Sequence, residues 1–162
     1  SRTGLGAILL AAHGHPLAWM ADIIRLADKE IIGVPDEGDP AWMCEAELLA
    51  LLLALHTWKG KLKGKRMGFV VQMDSESALN VALKLGSSVP TVNYLAAELS
   101  LLLEEMDIEI LQGDHYRGVL NVEADALSRL TEGKKVPRSL VHLKMSEPPT
   151  RDKVFQLHHF FD

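Results

Sequence analysis

A single cysteine, Cys44, stands in a chain of 162 residues. That excludes an internal disulfide and a cysteine-rich zinc site, and it fits a reducing compartment inside the cell. Long apolar runs are missing as well. The longest, Leu48 to Leu55, is far below the roughly 20 residues that a membrane helix needs, so no membrane partner is expected. Excess positive charge is absent: 22 acids against 17 bases leave a net −5. Any nucleic-acid binding must therefore come from a local patch or a metal rather than from general attraction. Gly4-Leu5-Gly6 lacks a third glycine and opens a strand, so it is no dinucleotide loop. No Gly-x-Ser-x-Gly elbow exists for a serine hydrolase. Neither Cys44 with His56 nor the His158-His159 pair has zinc-site spacing. No Met or basic-then-apolar leader precedes Ser1, so a piece of a longer protein is expected.

What is present is globular in character. Hydrophobic residues make up 48% and charged residues 24%, and a chain of this length buries roughly two-thirds of its unfolded surface. Residues 5–12 and 17–24, separated by His13-Gly14-His15-Pro16, predict a β-hairpin. Residues 25–41 read as a long loop, with a weakly marked strand near Ile31–Val34. Residues 42–58 are helix formers and apolar nearly all round, which predicts a helix packed on two sides. Lys59 to Arg66 carries five positive charges in eight residues, and such a run is most often a solvated loop. Met67 to Met73 predicts a central buried strand, and Glu76 to Leu85 a helix capped by Asp74 or Ser75. Val92, Leu95, Ala96, Leu99, Leu102, Leu103 and Met106 follow helical spacing. Ile108 to Leu111 reads as a strand, Gly113 to Leu120 as a polar loop and Asn121 to Leu130 as a last helix. Residues 131–162, with scattered prolines and charges, read as a linker or loosely packed tail. The order implies an α/β domain over 1–130: an antiparallel hairpin plus parallel strands in a mixed sheet, with helices on both faces.

In such sheets ligands sit beyond the carboxyl ends of the strands, where Asp74 stands; cap and catalytic group are both compatible with that place. Glu45 and Glu47 lie on the apolar helix about 200° apart, so they face different surroundings. One is expected to be exposed near the helix start; the other, held against the core, is a candidate ligand. Asn121, Asp125 and Ser128 share one face of the last helix, opposite Ala124, Leu127 and Leu130. Asp125 alone reads better as a solvated first-turn acid, and His115 alone as an ordinary loop histidine. Taken together, carboxylates from separate elements without cysteine suit Mg²⁺ or Mn²⁺. Two such ions about 4 Å apart activate water and stabilise a leaving oxygen in phosphodiester hydrolysis.

Four segments in order resemble the type 1 ribonuclease H domain of retroelement polyproteins, particularly those of long-terminal-repeat retrotransposons. Ser1 to Leu9 (SRTGLGAIL) resembles the first strand, D-A-S-x-x-G-x-G-A-x-L in the family, and Glu47 to Leu51 (ELLAL) resembles E-L-x-A-L. Met73 to Leu79 (MDSESAL) resembles T-D-S-x-x-A-L. His115 to Arg129 (HYRGVLNVEADALSR) is similar to H-x-x-G-x-x-N-x-x-A-D-x-L-S-R, with eight fixed positions in fifteen residues. The resemblance covers about residues 1–130. It implies a five-stranded mixed sheet and endonucleolytic cleavage of the RNA strand of RNA–DNA hybrids. Glu47, Asp74 and Asp125 would be the metal-binding carboxylates for two Mg²⁺ or Mn²⁺ ions. His115 would assist product release or proton movement, and Asn121 would orient the last loop and helix. The remaining partners would be the reverse transcriptase and integrase of the same polyprotein, with 131–162 the start of a connector. Hybrid recognition would rest on phosphates and on 2′-hydroxyls read by shape.

The family's first carboxylate falls two places before Ser1, so the chain as it stands is expected to cleave poorly beside one with that Asp restored. Two other readings remain. One is a catalytically inactive ribonuclease H-like remnant kept for nucleic-acid binding or packing. The other is a transposase or integrase core, which would need Glu where Asp125 stands.

Overall fold

The hairpin forms where the sequence places it. In the computed structural model, which describes residues 4–33, 42–63, 68–115 and 122–160, β1 (Gly4–Leu10) pairs antiparallel with β2 (Pro16–Ile23). The turn between them closes through Ala11 and His15, with Gly14 at φ 88°, a left-handed conformation that glycine adopts without strain. Side chains alternate across this ribbon. Leu5, Ala7, Leu9, Ala18 and Met20 enter the main core, whereas Ile8, Trp19 and Ala21 line a second, smaller one.

Residues 25–33 depart from the loop predicted over 25–41 and from any strand at Ile31, while 34–41 lie outside the described residues. α1 (Leu26–Ile32) is a helix that buries Asp28 and Ile32, and Gly33 ends it in the left-handed conformation. The backbone N–H of Arg25 donates to the Asp28 carboxylate at its start. Val34 lies outside the described residues. α2 (Met43–Thr57) matches its prediction: Leu48, Leu49, Leu52, Leu53 and Leu55 are all buried, and α2 packs against β1, α4 (Glu76–Lys84) and α5 (Pro90–Met106). Full burial of each such leucine is worth about 1.5–3 kcal/mol. A short α3 (Lys59–Leu62) follows α2.

β3 (Gly68–Met73) and β4 (Glu109–His115) form a parallel pair. The strand predicted to be wholly buried is buried on one face only. Val71 and Met73 face the core, while Val70 and Gln72 are exposed, because no described element covers that side. β4 also runs further than predicted, so His115 ends a strand rather than sitting in a loop; the rest of that predicted loop lies outside the described residues. Among the described residues there are four strands in two hydrogen-bonded pairs, against the five that the resemblance implies. No described helix is long and apolar enough to cross a membrane.

α6 (Val122–Ser128) lies on the face of β1 opposite α2, so helices cover both faces of the hairpin. Its approach is close. A Cβ on Gly6 would sit 2.6 Å from the Leu127 Cβ, 2.9 Å from the Ser128 N and 3.0 Å from the Ala124 O. Two of these atoms are backbone and cannot swing aside. Gly6→Ala is therefore expected to lower stability by about 1–3 kcal/mol, read as a fall in Tm; an unchanged Tm would mean that α6 is not seated there.

The segment read as a linker or loose tail packs against the domain in its described part. Leu140 is fully buried with Trp19 and Leu127, and Val154 and Phe155 enter the main core. Trp19 Nε1 donates to the Leu143 carbonyl at 2.9 Å, and Trp58 Nε1 to Ser146 Oγ at 3.0 Å. In α7 (Arg151–Val154) the Arg151 guanidinium donates to both oxygens of Asp28, to Asp22 and to the Ile23 carbonyl. Apolar residues among the prolines, at a spacing without helical or strand period, hid this packing from the sequence.

Candidate active site

The central turn is built from β3 running into α4. Ser75, not Asp74, caps α4: its Oγ accepts from the Ala78 N–H at 3.1 Å. The half-buried Asp74 carboxylate is thereby left for other work. Across from it stands Glu47, one turn into α2. Burial among apolar neighbours and, second to it, the negative charge of Asp74 push the Glu47 carboxyl up to about 7. That mutual repulsion is what two carboxylates from separate elements produce when the fold turns them toward one place. His115 joins them from the end of β4, its Nε2 at 2.7 Å from the Asp74 carbonyl oxygen. A carbonyl only accepts, so Nε2 carries the proton and Nδ1 is free to exchange one.

Glu45 is corrected. It is buried rather than exposed near the helix start, its Oε1 accepting from Thr91 Oγ1 at 3.4 Å and its Oε2 unpartnered. The helix turns it toward Thr91 of α5, and Met43 takes the solvent-facing place of that turn. Cys44 lies between the acids, in contact with Ser77 Oγ at 3.6 Å; burial and the charges of Glu45 and Glu47 push its thiol up. It is poorly suited to act as a nucleophile.

Asp125 stands in the first turn of α6 on the face opposite the buried Leu127, as the spacing predicts. Its carboxylate is half-exposed and pairs with Arg129 Nε at 3.1 Å, and Arg129 also reaches Glu132 at 3.6 Å. Among the described residues no three His, Cys, Asp or Glu side chains converge closely enough to hold a metal ion. The structure places Glu47 within electrostatic reach of Asp74, sets His115 on the Asp74 main chain, and leaves Asp125 with a counter-ion of its own. Glu47 and Asp74 are hard oxygen donors of the kind that fit one Mg²⁺ or Mn²⁺ as two of its ligands. Asn121 and the residues around Ser1 lie outside the described residues. Arg129, the last fixed position of the His115–Arg129 segment, stands one helical turn after Asp125 and so reaches its carboxylate.

Glu47 makes stability depend on pH. Its folded value, about 7, lies above the ordinary 4.5. The folded state therefore holds the proton more tightly, and the contribution present below pH 4.5 is lost as pH rises through 7. Glu47→Gln is expected to be more stable than the parent at pH 8 and to lose that advantage toward pH 4.5. Parallel Tm-against-pH curves for the two would show that Glu47 is not strained.

No family model and no curated protein matches the chain. Among solved structures, the crystal structure of ribonuclease H1 from the halophilic archaeon Halobacterium salinarum is similar. It has a TM-score of 0.59 at 19% identity, over 82% of this chain and 86% of that one. At that identity the likeness establishes the fold, which is α/β and ribonuclease H-like.

Proposed function

We propose that this ribonuclease H-like domain is a metal-dependent endonuclease for the RNA strand of RNA–DNA hybrids, carried in a retroelement polyprotein beside reverse transcriptase and integrase. The observation that carries the reading is the meeting of Glu47 and Asp74 from separate elements, with the Glu47 carboxyl raised and His115 docked on Asp74. The fold match and the four sequence segments support it. Glu47 and Asp74 would hold Mg²⁺ or Mn²⁺, with Asp125 the third carboxylate of a two-ion site once parted from Arg129. When bound, such ions supply an activated water and charge stabilisation at the leaving oxygen.

The protein's own groups do the rest. Glu47, whose carboxyl burial and Asp74 push up to about 7, would carry its charge where a bound cation offsets the Asp74 repulsion. His115, fixed through Nε2, offers Nδ1 as a proton carrier at the rim. The exposed Lys61 and Lys63 lie in the basic run after α2, which provides a local edge for the hybrid's phosphates despite the acidic total.

The test uses a labelled RNA–DNA hybrid and Mg²⁺ with two chains: the sequence as it stands, and the same sequence preceded by Asp-Ala. Cleavage by the extended chain, confined to the RNA strand and much slower in the unextended one, is the expected result. Equal rates would overturn the role given to the upstream Asp. Hybrid binding without cleavage by either chain would favour the inactive remnant, the reading that the Asp125–Arg129 pairing supports.

A further inference from the structure

α6 rests on β1 and β2, and side chains from beyond it in the chain close the other side of the same small core. Leu127 is 1% exposed and Leu140 0%, and both close on Trp19, which is 6% exposed. The backbone is fastened on the same side: Trp19 Nε1 donates to the Leu143 carbonyl at 2.9 Å, and the Ser146 N–H donates to the Trp19 carbonyl at 2.9 Å. This second core is separate from the main one that α2 and α5 build. Glu47 and Asp74 stand on elements of the main core, and Asp125 on the element that the second core seats.

We propose that residues 136–146 are a positioning strap for α6, with Leu140 and Trp19 as the positioning residues that set where the Asp125 carboxylate stands. Neither is a catalytic residue; each acts only through Leu127 and the helix. The importance given to Asp125 rests on the function proposed above, whereas the mechanical claim does not. The strap and α6 form one cooperative unit that opens without the main core, because few contacts besides those with β1 and β2 join α6 to the remainder of the fold.

Amide hydrogen exchange on the full chain tests this, with Leu140→Ala to empty the second core and Trp19→Phe to keep one aromatic ring there while removing the indole donor. Leu140→Ala is expected to speed exchange at least about tenfold over both 122–128 and 140–146, leaving α2 and β3 within about twofold of the parent. Trp19→Phe should move the same two segments in the same direction by a smaller factor. Faster exchange over 140–146 with 122–128 unchanged would overturn the proposal, since the strap would then open without α6. So would a parallel rise in α2, β3 and α6, which would make Leu140 a general stability residue. Because exchange is read without hybrid or metal, a failure to cleave RNA leaves this result intact, and the reverse also holds.

Discussion

Asp74→Asn, made in the chain preceded by Asp-Ala, is expected to lower Mg²⁺-dependent hybrid cleavage by about a thousandfold or more, the scale of several kcal/mol of lost charge stabilisation. The same change should leave Tm nearly untouched, because Ser75 and not Asp74 accepts the Ala78 N–H at the start of α4. A third readout links the two carboxylates. With the Asp74 charge gone, the Glu47 midpoint should fall from about 7, yet stay above 4.5, since burial is the larger cause of its elevation. Carboxyl NMR during a pH titration measures it. Full activity in this variant would remove Asp74 from the site. A large drop in Tm with the Glu47 midpoint unmoved would make Asp74 a structural residue.

The largest stability effect is expected at the other end of the chain, from Arg151→Met. Arg151 is 6% exposed and Asp28 0%; their bonds are 2.7 Å and 3.1 Å, with a further bond of 2.9 Å to Asp22. Removing the guanidinium strands a fully buried carboxylate, and breaking one side of such a pair costs about 3–5 kcal/mol. For a domain of this size that is a drop in Tm of roughly 6–20 °C. Adding Asp28→Leu should restore part of the loss, because it removes the stranded carboxylate at 28, while Asp22 keeps its bond to Arg25; no recovery would show that packing rather than charge sets the cost. Acid acts on the same network. Burial alone would raise the Asp22 carboxyl, but hydrogen bonds from Arg25, Ile23 and Arg151 hold it below the usual range. Its contribution is present above pH 3.8 and lost as pH falls through the lowered folded value.

Much of this fold could be read from local pattern. The hairpin, α2, α4 and α5 follow from side-chain periodicity and turn residues, which are the signals that a single segment carries. α1 escaped because one apolar turn among charges has no period to detect, although Gly33 was legible as its C-terminal stop and Asp28 as an acid for its first turn. The packed C-terminal segment escaped for a different reason. Its burial depends on partners far away in sequence, such as Trp19 and Asp28, and no window across 131–162 contains them. Glu47 and Asp74 were legible as acids in unusual places, a carboxylate on an apolar helix and one at a strand end. Their meeting is a property of the sheet and not of either segment. The burial of Glu45 was not legible, since helix angle separates the two glutamates without saying which of them faces the core.

The Arg151 pairing has a consequence for how the protein is made. Asp22 and Asp28 leave the ribosome well before their partner has been translated, and at roughly 5–20 residues per second the wait lasts seconds. Before α6 and residues 136–146 follow, the outer surface of the hairpin, with Trp19, stays bare, and the layer that α2 and α5 build still waits for Val154 and Phe155. Vectorial synthesis thus imposes an order of assembly in which α7 locks the hairpin only after both layers have emerged.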